Sequence, residues 1–278
     1  MVDMGYDPLT MREIDPLFGT LEDMKNLIQA SHDRDLKVVM DIVVNHLSDQ
    51  SDWFKRSVNR EDPFTDYFIW HDGKRINDTH VVEPNNWVSL FSRSETAWAW
   101  NENRQQYYFY QFSEQQPDLN YHNPKVQEEM DDLLKFWLDL GADGFRIDAM
   151  NFVFEAAHLL DEPVNNKPGI LRNYDKRIHI YTQHQQENLF ILNRWRKLLD
   201  EYRNRDGKTR LLAIEDINKA EKLFQYFGNE TFPLAHIPFY FRLVYLNYKQ
   251  MENLTKLDEV IHDFNDHLPR NRLPNWLV

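Results

Sequence analysis

Three short apolar runs constrain this chain most, because each follows an amphipathic helix and each finishes in polar or charged residues. KVVMDIVV (37–44) runs on into Asn45 and His46, DGFRIDAM (143–150) carries Arg146 and Asp148, and TRLLAIED (209–216) delivers Glu215. The preceding helices read from their spacing. Thr20 to Asp35 gathers Leu21, Met24, Leu27 and Ile28 on one face, and the helix after Asn123-Pro124 gathers Val126, Met130, Leu133, Leu134, Trp137 and Leu138 before Gly141 ends it. A third helix covers about 186–203. Beyond the third run come a helix near Lys219 to Phe227, the apolar stretch PLAHIPFYF, a helix over Lys256 to His267 and a strand-like PNWLV.

Strand and helix in strict alternation predict a parallel sheet with right-handed crossovers. With this many units the expected fold class is α/β, a partial (β/α)8 barrel with an inserted domain after the third barrel strand. The insertion is the aromatic, turn-rich segment 47–122, too long for an ordinary loop. Residues 1–46 and 123–278 then form the barrel parts.

Composition removes several function classes. Lys and Arg total 32 against 45 Asp and Glu, and a net charge of -13 repels nucleic acid and anionic lipid. With no cysteine, disulfides, thiolate metal sites and a Cys nucleophile are excluded. No apolar run is long enough to span a membrane, and the first residues lack a signal-peptide pattern. Neither G-x-G-x-x-G nor G-x-x-x-x-G-K-S/T occurs, which disfavours a nucleotide cofactor. Sequons stand at Asn77, Asn229 and Asn253.

In a barrel of this kind the strand C-termini form the active face, so polar residues there matter. Asp41, Asn45 and His46 close the first run, where a purely local capping role is equally open. Arg146 and Asp148, two apart in a strand, project to the same side. Arg146 is expected to hold Asp148 ionised, although a structural ion pair has the same appearance. Glu215, backed by apolar residues, is expected to keep its proton near neutrality. Asp216 suits helix capping better. One charged and one protonated carboxyl on consecutive strands are the minimum equipment for retaining glycoside hydrolysis.

These residues resemble the α-amylase superfamily, glycoside hydrolase family 13, in its oligo-1,6-glucosidase and insect-maltase branch. DIVVNH is similar to the first family signature, GFRIDA to the second and the Glu215 strand to the third, and Gln116-Pro117-Asp118-Leu119-Asn120 is similar to the QPDLN signature of this branch. The resemblance implies a retaining α-glucosidase that releases glucose from nonreducing ends of α-1,4-linked oligosaccharides such as maltose, or from sucrose. Asp148 would be the nucleophile and Glu215 the acid/base. Arg146 would fix Asp148, His46 would donate to glucose, Tyr6 would be its aromatic platform, and Asp7 would grip its hydroxyls. Asp41 and Asn45 would be structural supports. Ala149 resembles maltases, where α-1,6-preferring relatives carry valine.

The sequence departs from the pattern at Asp216, where alanine is usual, and at Tyr240, where asparagine is usual. The family also has about two strands before the Gly5-Tyr6-Asp7 motif and a third catalytic Asp beyond NWLV. The chain therefore reads as truncated at both ends and is expected to be inactive alone. Because the usual calcium loop corresponds to the missing N-terminal part, no metal is expected. Secretion is the expectation for the full-length protein. Two other readings remain. Transporter heavy chains share the fold without catalysis but commonly lose the Arg or the acids, and transglucosylases or sucrose-converting relatives share the covalent intermediate.

Overall fold

All three apolar runs form strands of one parallel sheet. A computed structural model describes residues 3–77, 80–91, 96–170, 172–244, 246 and 254–272. In chain order, helix α1 (Leu21–His32) leads to strand β1 (Val39–Ile42), then α2 (Asp52–Val58), β2 (Trp70–His71), β3 (Lys74–Asn77) and β4 (His80–Val82). There follow β5 (Trp98–Asn101), β6 (Gln106–Phe109), α3 (Pro124–Asp139), β7 (Gly144–Ile147) and α4 (Glu187–Asp206). The last elements are β8 (Leu211–Glu215), α5 (Ala220–Leu223), β9 (Ile237–Phe239) and α6 (Leu254–His267). PNWLV lies outside the described residues.

The chain forms two compact units, one made of Met1–Leu21, Val43–Phe136 and Asn151–Asn188, the other of Glu22–Ile42, Trp137–Met150 and Leu189–Val278. The stretch expected as an insertion, 47–122, falls wholly in the first. In the second unit the sheet order is β1-β7-β8-β9, every pair parallel, with Asp41 opposite Arg146 and Arg146 opposite Ala213. Phe145, Ile147, Leu212 and Ile214 are fully buried. Each contributes about 1.5–3 kcal/mol relative to exposure.

The apolar face expected of α3 is buried at all six positions, and Asn123 Oδ1 accepts from Lys125 N at 3.0 Å, satisfying one amide of the first turn. For α1 the outcome differs. Ile28 is buried, but Leu27, one helical step away, is 57% exposed. Val39 is also 40% exposed, because β1 is an edge strand of the described sheet. The segment expected as one helix over 219–227 is instead the short α5 followed by a 3-10 turn, Phe224–Phe227.

The first unit holds an antiparallel sheet ordered β2-β6-β5 and a hairpin of β3 with β4. Its core packs Trp87, Ala97, Trp98 and Phe109 together. The indole nitrogens are satisfied, Trp98 Nε1 by Asn85 Oδ1 at 2.8 Å and Trp87 Nε1 by Leu160 O at 2.9 Å. The second of these bonds ties the polar excursion after residue 152 to the core, the usual use of an aromatic with one polar end.

Candidate active site

The site residues expected from sequence fall into two groups, one in each unit. In the second unit, β7 and β8 approach closely because residue 144 has no side chain. Gly144 sits at φ +154, and a Cβ there would lie 2.2 Å from Leu211 O. That approach sets Arg146 beside the end of β8. Its Nη1 donates to Asp148 Oδ1 at 2.5 Å and to Asp41 Oδ1 at 2.8 Å, and its Nη2 donates to Glu215 Oε2 at 2.6 Å. Asp148, Arg146 and Glu215 side chains keep only 12%, 17% and 19% of their exposure, whereas Asp41 keeps 46%.

One guanidinium thus faces three carboxyls. Burial opposes charge on Arg146, but Asp148, Asp41 and Glu215 together outweigh it, so the guanidinium is held firmly charged. Arg146 does not keep Asp148 ionised in the simple way its spacing suggests. Burial first, and the hydrogen-bonded neighbour Glu215 next, push the Asp148 carboxyl up to about 8 against the pull of Arg146. Asp216, beside Glu215, is buried and pushed up to about 7 by that burial, although Asn218 Nδ2 donates to its Oδ1 at 2.6 Å. It does not cap α5. The amide of Ala220 donates to Asp263 Oδ2 at 3.3 Å, and Asp263 also accepts from the hydroxyl of Tyr240 at 2.7 Å.

In the first unit, His46 is buried and its Nε2 donates to Tyr6 O at 2.7 Å, a bond that requires the proton on that nitrogen. Burial pulls the imidazole down to about 4, so the ring is neutral at physiological pH. Gln116 Nε2 donates to the same carbonyl at 2.9 Å and to Asp3 Oδ2 at 3.1 Å. Asp7 is buried, and its Oδ1 accepts from Asp3 N at 3.3 Å, while Tyr6 is half-buried. Gln116 therefore fixes the Gly5-Tyr6-Asp7 turn next to His46. Sequence reasoning noticed its motif without giving it a task.

Asn45 Nδ2 donates to Asp118 Oδ2 at 2.7 Å, and Gln111 N donates to Asp118 Oδ1 at 2.8 Å. Even so, burial pushes Asp118 up to about 8, and burial together with the charge of Asp118 drives Glu155 well above the ordinary carboxyl range. Asn45 Oδ1 and Glu155 Oε1 are buried with no hydrogen-bond partner. Among the described residues no group of three or more His, Cys, Asp and Glu is placed for a metal. The sequence hid the buried set of Asn45, Asp118 and Glu155 because the three are far apart along the chain.

Residues 1–278 match the family described as alpha amylase, catalytic domain. Maltase A2 of Drosophila melanogaster is 41% identical over 285 aligned residues, covering 100% of this chain and 50% of the maltase. The salivary alpha-glucosidase of Aedes aegypti is 37% identical, covering 100% of this chain and 48% of that enzyme. The amino acid transporter heavy chain SLC3A1 of Homo sapiens is 38% identical, covering 99% and 40%. Among solved structures, the alpha-glucosyl transfer enzyme XgtA superimposes with a TM-score of 0.85 at 33% identity, covering 99% of this chain and 50% of that one. The chain spans about half the length of the relatives it matches.

Proposed function

The chain belongs to the α-amylase family of catalytic domains, and on that premise we propose that it supplies the reacting carboxyls of a retaining α-glucosidase acting at nonreducing ends of α-1,4-linked glucosides such as maltose. Its parallel sheet with intervening helices is part of a (β/α)8 barrel, and β7 and β8 carry Asp148 and Glu215 at their C-terminal ends. The observation that carries the proposal is the shared guanidinium. Arg146 binds both carboxyls, Asp148 at 2.5 Å and Glu215 at 2.6 Å. Two carboxyls held on one guanidinium support the retaining route, in which the carboxyl groups stand about 5–5.5 Å apart.

In the proposed reaction Asp148, ionised beside Arg146 once its proton has passed to Glu215, attacks the anomeric carbon while Glu215 gives that proton to the departing oxygen. The glycosidic C–O bond breaks as the glucosyl–Asp148 ester forms. Water then adds to the anomeric carbon, Glu215 takes its proton, and Asp148 leaves with its electron pair. Arg146 supplies the positive charge that steadies whichever carboxyl is ionised. By family position Tyr6, Asp7 and His46 bind glucose, and Asp41 and Asn45 support strand ends.

NMR of the first sugar released from an α-glucoside tests the proposal in the intact protein that carries this chain. Initial α-glucose supports it, and initial β-glucose contradicts it. A second reading, glucosyl transfer to an acceptor sugar, is favoured by the likeness to an alpha-glucosyl transfer enzyme and keeps the same first step. Chromatography with added sucrose separates the two. A non-enzymatic role, in the manner of the transporter heavy chain, predicts no glucose release at all. Likeness to a salivary alpha-glucosidase supports a secretory route, and among the described residues no helix is long and apolar enough to cross a membrane.

A further inference from the structure

Of the three sequons, Asn229-Glu230-Thr231 alone has all three residues described. It occupies a turn built from its own atoms. Asn229 N donates to Phe232 O at 3.1 Å. Asn229 Oδ1 accepts from Thr231 N at 3.0 Å, Thr231 Oγ1 at 2.9 Å and Phe232 N at 2.8 Å. Every one of these bonds spans three residues or fewer, so the turn needs no tertiary contact and is available to a nascent chain. Gly228 makes the turn close. At φ +62 it brings the chain so near that a Cβ would lie 2.1 Å from Phe232 O.

All three sequon residues are exposed in the folded protein. The hydrogen bonds of Asn229 use its backbone amide and its Oδ1, and none uses Nδ2. A polar crevice of about 350 Å³, lined by Arg196, Asp200, Asn271 and Arg272 among others, lies beside it. The turn belongs to the connection that leads from α5 and its 3-10 turn into the N-terminal end of β9, whereas Glu215 leaves the C-terminal end of β8. In a barrel, helix-to-strand connections lie away from the catalytic loops.

We propose that Asn229 is an N-glycosylation site whose glycan sits clear of the catalytic carboxyls, which rests on the secretory route proposed above. The donor is an oligosaccharide carried on a lipid pyrophosphate. Asn229 Nδ2 forms a bond to the anomeric carbon of the first sugar, and the bond from that carbon to the pyrophosphate oxygen breaks, its electron pair leaving on the lipid pyrophosphate. One amide proton is lost. The attached sugar has the crevice beside it to occupy.

The test secretes the whole protein from insect cells behind a cleavable leader, so that entry to the secretory pathway is imposed. Peptides covering Asn229 are then released with an amidase in H₂¹⁸O and read by mass spectrometry. Conversion of Asn229 to ¹⁸O-labelled Asp is expected, with the glycan's gel shift at this site lost in Asn229→Gln and in Thr231→Ala and maltose hydrolysis unchanged in both. Unmodified Asn229 in protein that is secreted and melts cooperatively overturns the proposal. The secretory reading is tested separately with the protein's own leader region. Recovery in the medium with Asn229 modified supports both, and cytosolic, unmodified protein contradicts both.

Discussion

Arg146 reaches across two parallel strands to donate to Glu215 at 2.6 Å, so the arginine of one strand and the carboxyl of the next form one electrostatic unit. The same guanidinium holds Asp148 and Asp41. Lysine at 146 would place one compact charge where a planar fork binds three partners. Arg146→Lys is expected to lower kcat by at least about 100-fold, in line with loss of an electrostatic stabiliser, with little change in KM. Steady-state kinetics with a melting curve decide it. An unchanged kcat with an unchanged Tm contradicts the proposed role.

The two carboxyls have distinct expected signatures. Asp148→Asn removes the nucleophile and should abolish turnover on every glucoside. Glu215→Gln should be severe on maltose and partly rescued on aryl glucosides with good leaving groups, which need little protonation. Equal loss on both substrate types in Glu215→Gln argues against the acid role.

Asp118 links pH to stability. Its folded-state value of about 8 stands above the ordinary 3.8, so the folded protein binds the extra proton between those values. Stability should therefore fall as pH rises from about 4 to about 8 and flatten above, the reverse of a salt-bridged carboxyl. Asp118→Asn should flatten this slope, since Asn45 can turn its unpartnered Oδ1 toward the new amide. Thermal melts of the parent and Asp118→Asn across this pH range read the effect, and a parent whose stability rises between about pH 4 and about pH 8 contradicts it.

Asp216 has the same sign with a lower upper bound, about 7, because it too is buried above its ordinary 3.8. Asp216→Ala should remove a stability loss that develops from about pH 4 to about pH 7 in the parent, gaining a few kcal/mol at pH 8. Denaturant melts at pH 5 and pH 8 measure the difference. A variant destabilised more at pH 8 than at pH 5 contradicts the assignment.

Ala149 follows the nucleophile and adopts φ +49, a region where a β-branched residue is strained. A preference for maltose over isomaltose is expected. Ala149→Val should shift the kcat/KM ratio toward isomaltose by about 1–3 kcal/mol, since a single small contact is worth no more. A parent that prefers isomaltose refutes the inference.

Much of this was legible in the chain because strand-end chemistry is local. The three apolar runs, the buried face of α3 and the polar residues at 146, 148 and 215 all follow from spacing within a few residues. Long-range geometry was not legible. No local pattern says that Gly144 lets β8 approach, that Arg146 is shared by three acids, or that Asp118 and Glu155 meet in one buried place. The exposure of Val39 and Leu27 escaped for the same reason, since an apolar period reports capacity for burial and not the presence of a neighbour to bury against.

The central claim is that Asp148 forms the covalent bond, and trapping that bond tests it most directly. The intact protein carrying the Glu215→Gln substitution is treated with a fluorinated α-glucosyl fluoride, whose good leaving group bypasses the acid and whose ring fluorine slows release. Mass spectrometry of the digest should then show one fluoroglucosyl group on the peptide that contains Asp148, absent from Asp148→Asn. Turnover of the reagent with the group on another residue, or with no adduct under conditions where fluoride is released, would contradict the account.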